Sequence, residues 1–229
     1  MFAEVNGIRL YYEAAGSGRP LVMVHGNGED HTIFAEAAEL LKEHFTVYLV
    51  DSRGHGASTP ADILHYEEMA DDMTAFLEAL DLRDVVFYGF SDGGIVGLLA
   101  ASRCERITTL ITSGANLTPQ GVIRPLRALF RVMYFLKKDP KTALMMTEPQ
   151  IGDDVLKKIT ARTLVLAGSH DLVTEKETKH IAQTIPGARL VILPGEGHGS
   201  YIVHRTKIAK IIRSFVLSGP KRREKHPSV

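Results

Sequence analysis

The stretch Asp84–Ala101, DVVFYGFSDGGIVGLLAA, passes from a β-type run to an apolar helix across five residues, Gly89-Phe90-Ser91-Asp92-Gly93. Val85 to Tyr88 is continuously apolar, as suits a strand covered on both faces in a parallel sheet. Ile95 to Ala101 reads as the helix that follows. The five residues fit G-x-S-x-G. In that setting a sharp strand-to-helix turn strains the serine backbone and exposes its hydroxyl, and the flanking glycines avoid collisions that side chains would cause. The helix N-terminus then aims free N–H groups and a positive dipole end at the same spot. A plain Gly-rich turn is the competing reading, and the flanking strand and helix favour the nucleophile.

Outward from this turn the chain alternates. Upstream, Phe2–Val5 and Ile8–Glu13 flank Asn6-Gly7, a strong hairpin signal. Leu21–Val24 is another continuous apolar run, followed by a helical pattern over 33–42 and a strand-like run over 45–50. The polar loop DSRGHGASTP leads to a helix over 66–80, with Met69, Met73, Phe76, Leu77 and Leu80 on one face. Downstream, 107–111, 164–166 and 190–193 read as strands, and a last helix is expected from about Ile202 to Val216. Repeated strand–helix alternation predicts a doubly wound α/β sheet with helices on both faces. Residues 115–158 carry helical patterns without a strand, as an insertion would, with Asp153 and Asp154 expected to cap a helix near Val155.

A serine hydroxyl needs a base. Of ten histidines, His198 in Pro194-Gly195-Glu196-Gly197-His198-Gly199 stands in a loop directly after the last strand. Loops at the carboxyl ends of parallel strands share one edge, where sites assemble. His170, His180 and His204 read as surface residues, and His25 and His55 as loop scaffolding. The base in turn needs an acid to fix its tautomer. Asp171 follows the strand TLVLA and reaches the same edge, whereas the loop Ser113-Gly114-Ala115-Asn116 offers no acid. For an oxyanion hole, His25-Gly26-Asn27-Gly28 follows the strand LVMV, so the Asn27 N–H can join that of Asp92. The Gly-rich loop is neither G-x-G-x-x-G nor a P-loop, which argues against phosphate binding. The Asp92 carboxylate either selects an ammonium-bearing substrate or accepts hydrogen bonds from neighbouring loop groups while its backbone serves the oxyanion hole.

VHGNG, DSRGHGAS, GFSDGG, an Asp loop and a His loop, in that chain order, resemble the α/β-hydrolase superfamily, serine esterase-like branch with a short cap. The resemblance spans about Ile8 to Val216. It implies an α/β-hydrolase fold: an eight-stranded, mostly parallel sheet with an N-terminal antiparallel strand, helices on both faces and a short helical cap inserted after 107–111. One hydrolase domain over 1–217, with the cap at about 115–158, is therefore expected. The catalytic residues implied are Ser91, Asp171 and His198, with Asn27 and Asp92 as the oxyanion hole. The expected activity is a carboxylesterase-like serine hydrolase; thioesterase, lactonase, peptidase and C–C bond hydrolase share the machinery, and a non-catalytic binding protein could share the fold. Members that open epoxides or remove halides carry Asp where this chain has Ser91.

Composition bounds the rest. The 229 residues are 45% hydrophobic and 24% charged, with 27 basic and 27 acidic side chains, so no global field draws the chain to nucleic acid. A small acyl compound is the expected partner, with no metal or organic cofactor. The lone Cys104 fits a reducing compartment. No apolar run reaches the ~18 residues of a membrane span, and the first residues lack a signal-peptide pattern, so a cytoplasmic setting without stable membrane insertion is expected. Oligomeric state is left open. Within the insertion, Leu126, Leu129, Phe130, Met133 and Leu136 recur at helical spacing with Arg124, Arg127, Arg131 and Lys137 mostly elsewhere. A lid helix with a solvated basic face is expected, with interfacial lipid binding and attraction of anionic substrates as sharper readings. The basic tail 218–229 is expected to be disordered.

Overall fold

The computed structural model describes residues 1–219. Asn6 and Gly7 both take positive φ (47° and 76°) and close a two-residue hairpin between β1 (Phe2–Val5) and β2 (Ile8–Gly16). Six further strands follow: β3 (Arg19–Val24), β4 (Phe45–Val50), β5 (Val85–Phe90), β6 (Ile107–Ser113), β7 (Arg162–His170) and β8 (Arg189–Gly197). They form one eight-stranded sheet in the order β1-β2-β4-β3-β5-β6-β7-β8, in which β2 runs against its neighbours and every later pairing is parallel. The expected mostly parallel sheet is thus present.

Alternation along the strands explains the two layers. In β3 all four residues from Leu21 to Val24 are fully buried. Val22 and Val24 join the core under α2 (Tyr66–Ala79) and α3 (Asp92–Ala101). Leu21 and Met23 join the opposite core, under α1 (Ala35–Leu41) and α8 (Lys207–Leu217). Successive side chains of a strand point to opposite faces, so a continuous apolar run is what a strand between two helical layers requires.

Between β6 and β7 lie α4 (Arg124–Lys137), α5 (Pro140–Thr147) and α6 (Asp153–Lys157). This segment is tied to the loop after β7: the Ile123 N–H donates to the Leu172 carbonyl (3.0 Å) and the Thr174 N–H to that of Gly121 (2.8 Å). It also reaches α2, where the Glu148 carboxylate accepts from the Tyr66 N–H (3.0 Å) and pairs with His65 Nδ1 (2.6 Å).

Two local expectations are corrected and one helix is added. The last helix begins at Lys207, not near Ile202, because the Gly199 carbonyl accepts from the N–H groups of both Ile202 and Val203 and turns the chain first. Tyr201 and Ile202 are buried in that turn, which is why their apolar character reads as helix. Gly152 is the N-cap of α6; Asp153 and Asp154 lie in its first turn, and Asp153 pairs with His180 (2.8 Å). A helix that the pattern left unmarked, α7 (Glu175–Thr184), follows β7; its Thr174 cap accepts from the Glu177 N–H. The expected tail lies, from Pro220 onward, outside the described residues.

The loop after β4 is pinned by charge. Arg53 holds the fully buried carboxylate of Asp72 on α2 through two bonds of 2.8 Å, and Asn6 of the hairpin adds a third at 3.0 Å. Removing one partner of a buried pair strands the other, at about 3–5 kcal/mol. Arg53→Ala, which leaves the buried Asp72 carboxylate with Asn6 alone, is therefore expected to lower the unfolding free energy from urea titration by an amount in that range at unchanged m-value; a loss below ~1 kcal/mol contradicts the role given to this pair.

Candidate active site

Ser91 sits at the end of β5, at the N-cap of α3, with φ 53° and ψ −115°. Two close approaches enforce this. A Cβ on Gly89 would lie 2.0 Å from the Gly93 carbonyl oxygen, and one on Gly93 would lie 2.2 Å from that of Val24. The Gly93 N–H donates to the His25 carbonyl (3.0 Å) and the Ser91 N–H to that of Ser113 (2.8 Å), so the turn is stitched to β3 and β6 on either side. A non-glycine residue held in such a region costs about 1–3 kcal/mol.

The structure brings the five expected residues together. His198, in the loop after β8, places Nε2 3.0 Å from Ser91 Oγ and Nδ1 2.6 Å from Asp171 Oδ1. Since the carboxylate can only accept, Nδ1 carries the proton and Nε2 accepts from the serine hydroxyl. The Asp171 side chain is almost fully buried and also accepts from the N–H groups of Gly168 (3.1 Å) and Val173 (3.0 Å). Burial pushes its pKa up, but His198 and those two donors outweigh this and hold it below the ordinary carboxylate value.

Asn27 and Asp92 flank Ser91 in the wall of a cavity of about 240 Å³. Asp92 is the first residue of α3, so its N–H is one of the helix's orphan donors. Their side chains bond to each other, Asn27 Nδ2 donating to Asp92 Oδ2 at 2.8 Å, and Asn27 also reaches the Lys141 carbonyl on α5 (3.2 Å). This link matches the reading in which the Asp92 carboxylate accepts hydrogen bonds from neighbouring loop groups, although nothing in the sequence marked Asn27 as the donor. Burial raises the Asp92 carboxyl to about 6, against the opposing pull of Asn27, Tyr66 and His198.

Phe90, Glu29 and Glu148 also stand at the site, with no signal in the sequence to mark them. Phe90 packs its ring against the His198 imidazole, centroids 5.0 Å apart. Glu29 lines the cavity and accepts from the Gly26 N–H (2.9 Å); burial raises its pKa. The cavity carries three carboxylates, Glu29, Asp92 and Glu148, and among the described residues no Lys or Arg lines it. Leu126 and Phe130 of α4, with Val122 and Met145, supply an apolar wall. A spacing signal for the carboxylates was not available, because they come from three separate segments: the loop after β3, the start of α3 and the end of α5.

His25 is scaffolding. Burial drives its pKa down to about 4, and the neutral ring donates from Nδ1 to the Gly26 carbonyl (2.7 Å) and accepts at Nε2 from the Ser52 N–H (3.1 Å). Asp30, His31 and Asp51 have metal-ligand spacing. Their atoms are engaged with one another and with backbone donors: Asp51 accepts from His31 Nδ1 (2.8 Å) and from the His31 and Ala57 N–H groups, and Asp30 caps the turn at Thr32.

Proteins of similar sequence and fold give the family. Residues 19–141 match the family described as alpha/beta hydrolase fold, and 141–226 match that described as TAP-like protein. The chain belongs to the alpha/beta hydrolase family. A serine hydrolase of Mus musculus, BPHL, is 27% identical over 93% of this chain and 84% of its own. An esterase from Exiguobacterium antarcticum shares the fold, with a TM-score of 0.82 at 24% identity over 94% of this chain and 98% of that one. Est816, described as an N-acyl homoserine lactone degrading enzyme, superposes with a TM-score of 0.77 at 25% identity, covering 94% of this chain and all of the other (100%). Among the described residues no helix is long and apolar enough to cross a membrane.

The strain at Ser91 is measurable without any assay of turnover. Glycine tolerates positive φ and alanine does not, so Ser91→Gly is expected to be more stable than Ser91→Ala by about 1–2 kcal/mol in denaturant titration. Equal stability of the two variants contradicts the strained turn.

Proposed function

We propose that this chain is a carboxylesterase-like serine hydrolase that cleaves a small ester through an acyl-enzyme on Ser91. The observation that carries this reading is the relay from Ser91 Oγ through His198 (3.0 Å) to Asp171 (2.6 Å). Ser91 attacks the ester carbonyl while His198 Nε2 takes the hydroxyl proton, and Asp171 steadies the imidazolium through Nδ1–H. The Asn27 and Asp92 N–H groups receive the developing oxyanion, each such donor being worth about 3 kcal/mol of barrier. His198 returns the proton to the departing alcohol. Water then attacks the acyl-serine, gives its proton to His198, and releases the acid and free Ser91. No step calls for a metal or an organic cofactor. The helices α4 to α6 serve as the cap of a single domain, and the small, apolar-walled cavity supports a short acyl group. The setting proposed is the cytoplasm, in keeping with a single, buried, free Cys104.

An organophosphonate probe is expected to label Ser91 stoichiometrically and to leave Ser91→Ala unmodified by intact mass. The same variant should lower turnover of short acyl esters by as much as ~10⁶-fold. Labelling elsewhere, or retained turnover, defeats the assignment; labelling without turnover on esters, thioesters, lactones or amides would point to a binding protein on this fold.

A second reading concerns charge. The three carboxylates in a cavity that no Lys or Arg lines among the described residues favour an ammonium-bearing ester over an anionic one. Asp92 stands beside the nucleophile, and its carboxyl, raised to about 6, is ionised above that pH and neutral below it. The ratio of kcat/KM for an amino-acid ester to that for its uncharged analogue should therefore rise as pH increases through about 6. Taking the ratio cancels pH effects on the relay that both substrates share. Asp92→Asn should flatten the profile and lower the ratio roughly tenfold. A flat wild-type profile sinks the charge reading and leaves the esterase reading intact.

A further inference from the structure

α4 presents two unlike faces. Leu126 and Phe130 line the cavity. Leu129, Val132, Met133 and Leu136, spaced along a different face, remain 51, 56, 40 and 72% exposed, and Phe135 beside them is 83% exposed. Of the 11 large apolar side chains exposed among the described residues, five lie on this one helix, so the exposure is a patch and not scatter. Arg124, Arg131, Lys137 and Lys138 are exposed around it. Residues 122–138 include no acid, and the next one along the chain, Asp139, is held by Thr142 as the N-cap of α5. With 27 basic and 27 acidic side chains overall, this cationic character is local.

We infer that α4 docks the protein on an anionic phospholipid surface, its outer apolar face seated at the headgroup–acyl boundary and its flanking cations on the phosphates. A strongly amphipathic helix edged by Lys and Arg lies in the plane of such an interface, and the long cationic side chains reach the headgroups while their stems stay apolar. At 14 residues the helix is about 21 Å long and lies on the membrane without spanning it. Charge decides the occupant. A second copy seated on this face by a two-fold contact would bring the same four cations against their own counterparts, whereas an anionic surface neutralises them. Docking also places the helix that walls the cavity, through Leu126 and Phe130, against the lipid.

Vesicle binding is read without turnover, so it is independent of what Ser91 does. The whole chain should co-sediment with phosphatidylcholine vesicles containing phosphatidylglycerol and not with phosphatidylcholine alone, and added salt should weaken the binding. Phe135→Ser/Leu136→Ser and Arg124→Gln/Arg131→Gln should each weaken partitioning by roughly tenfold or more, with turnover of a soluble short ester unchanged. The chain contains no Trp, so Phe135→Trp supplies a lone reporter whose emission should move to the blue when anionic vesicles are added. No binding to anionic vesicles, binding indifferent to both double variants, or an unshifted emission from the Phe135→Trp variant overturns the proposal. So does a dimer by light scattering that Phe135→Ser/Leu136→Ser dissolves, which would assign the face to a second copy.

Discussion

The site depends on how closely α3 can approach β3. Gly93 rests its backbone on Val24 with no room for a side chain, and its N–H is bonded to the His25 carbonyl. That contact bends the chain at the end of β5 and holds Ser91 at positive φ, with its hydroxyl toward the loop after β8. Because β3, β5, β7 and β8 run parallel, their carboxyl ends form one rim, and each contributes a piece: Asn27, Ser91, Asp171 and His198. The strain at Ser91 is offset by two cores that clamp the sheet from both sides.

The features legible in the sequence were those with local causes. Asn6-Gly7 needs only its own positive φ angles to make a hairpin, and the G-x-S-x-G turn needs only its flanking glycines. Parallel strands were readable because burial on both faces leaves no polar alternation. Asp171 and His198 were reachable once the rim was inferred, since each directly follows a strand. What stayed hidden depends on contacts between remote segments. The Asn27–Asp92 bond spans 65 positions and the Glu148–Tyr66 bond 82, and no periodicity encodes either. Tyr201 and Ile202 misled the helix boundary because burial in a turn and burial on a helix face look alike in one dimension.

Electrostatics divides the carboxylates around the cavity. Asp171 is held low by one imidazole and two backbone donors despite its burial, whereas Asp92 and Glu29, with weaker compensation, are raised by theirs. The same chemical group is thus kept as a fixed anion behind His198 and as a titratable one in front of it. The inner wall of the cavity is acidic and apolar while the outer face of α4 is basic and apolar, so one short segment between β6 and β7 separates two environments of opposite sign.

The relay itself is the claim on which the rest stands, and proton NMR reads it directly. A hydrogen-bonded His198 Nδ1 proton should give a far-downfield, exchange-protected resonance in the wild-type protein that vanishes in Asp171→Asn and shifts in Ser91→Ala. A spectrum without that resonance across the accessible pH range, or one unaltered by Asp171→Asn, would mean that hydroxyl, imidazole and carboxylate are not joined.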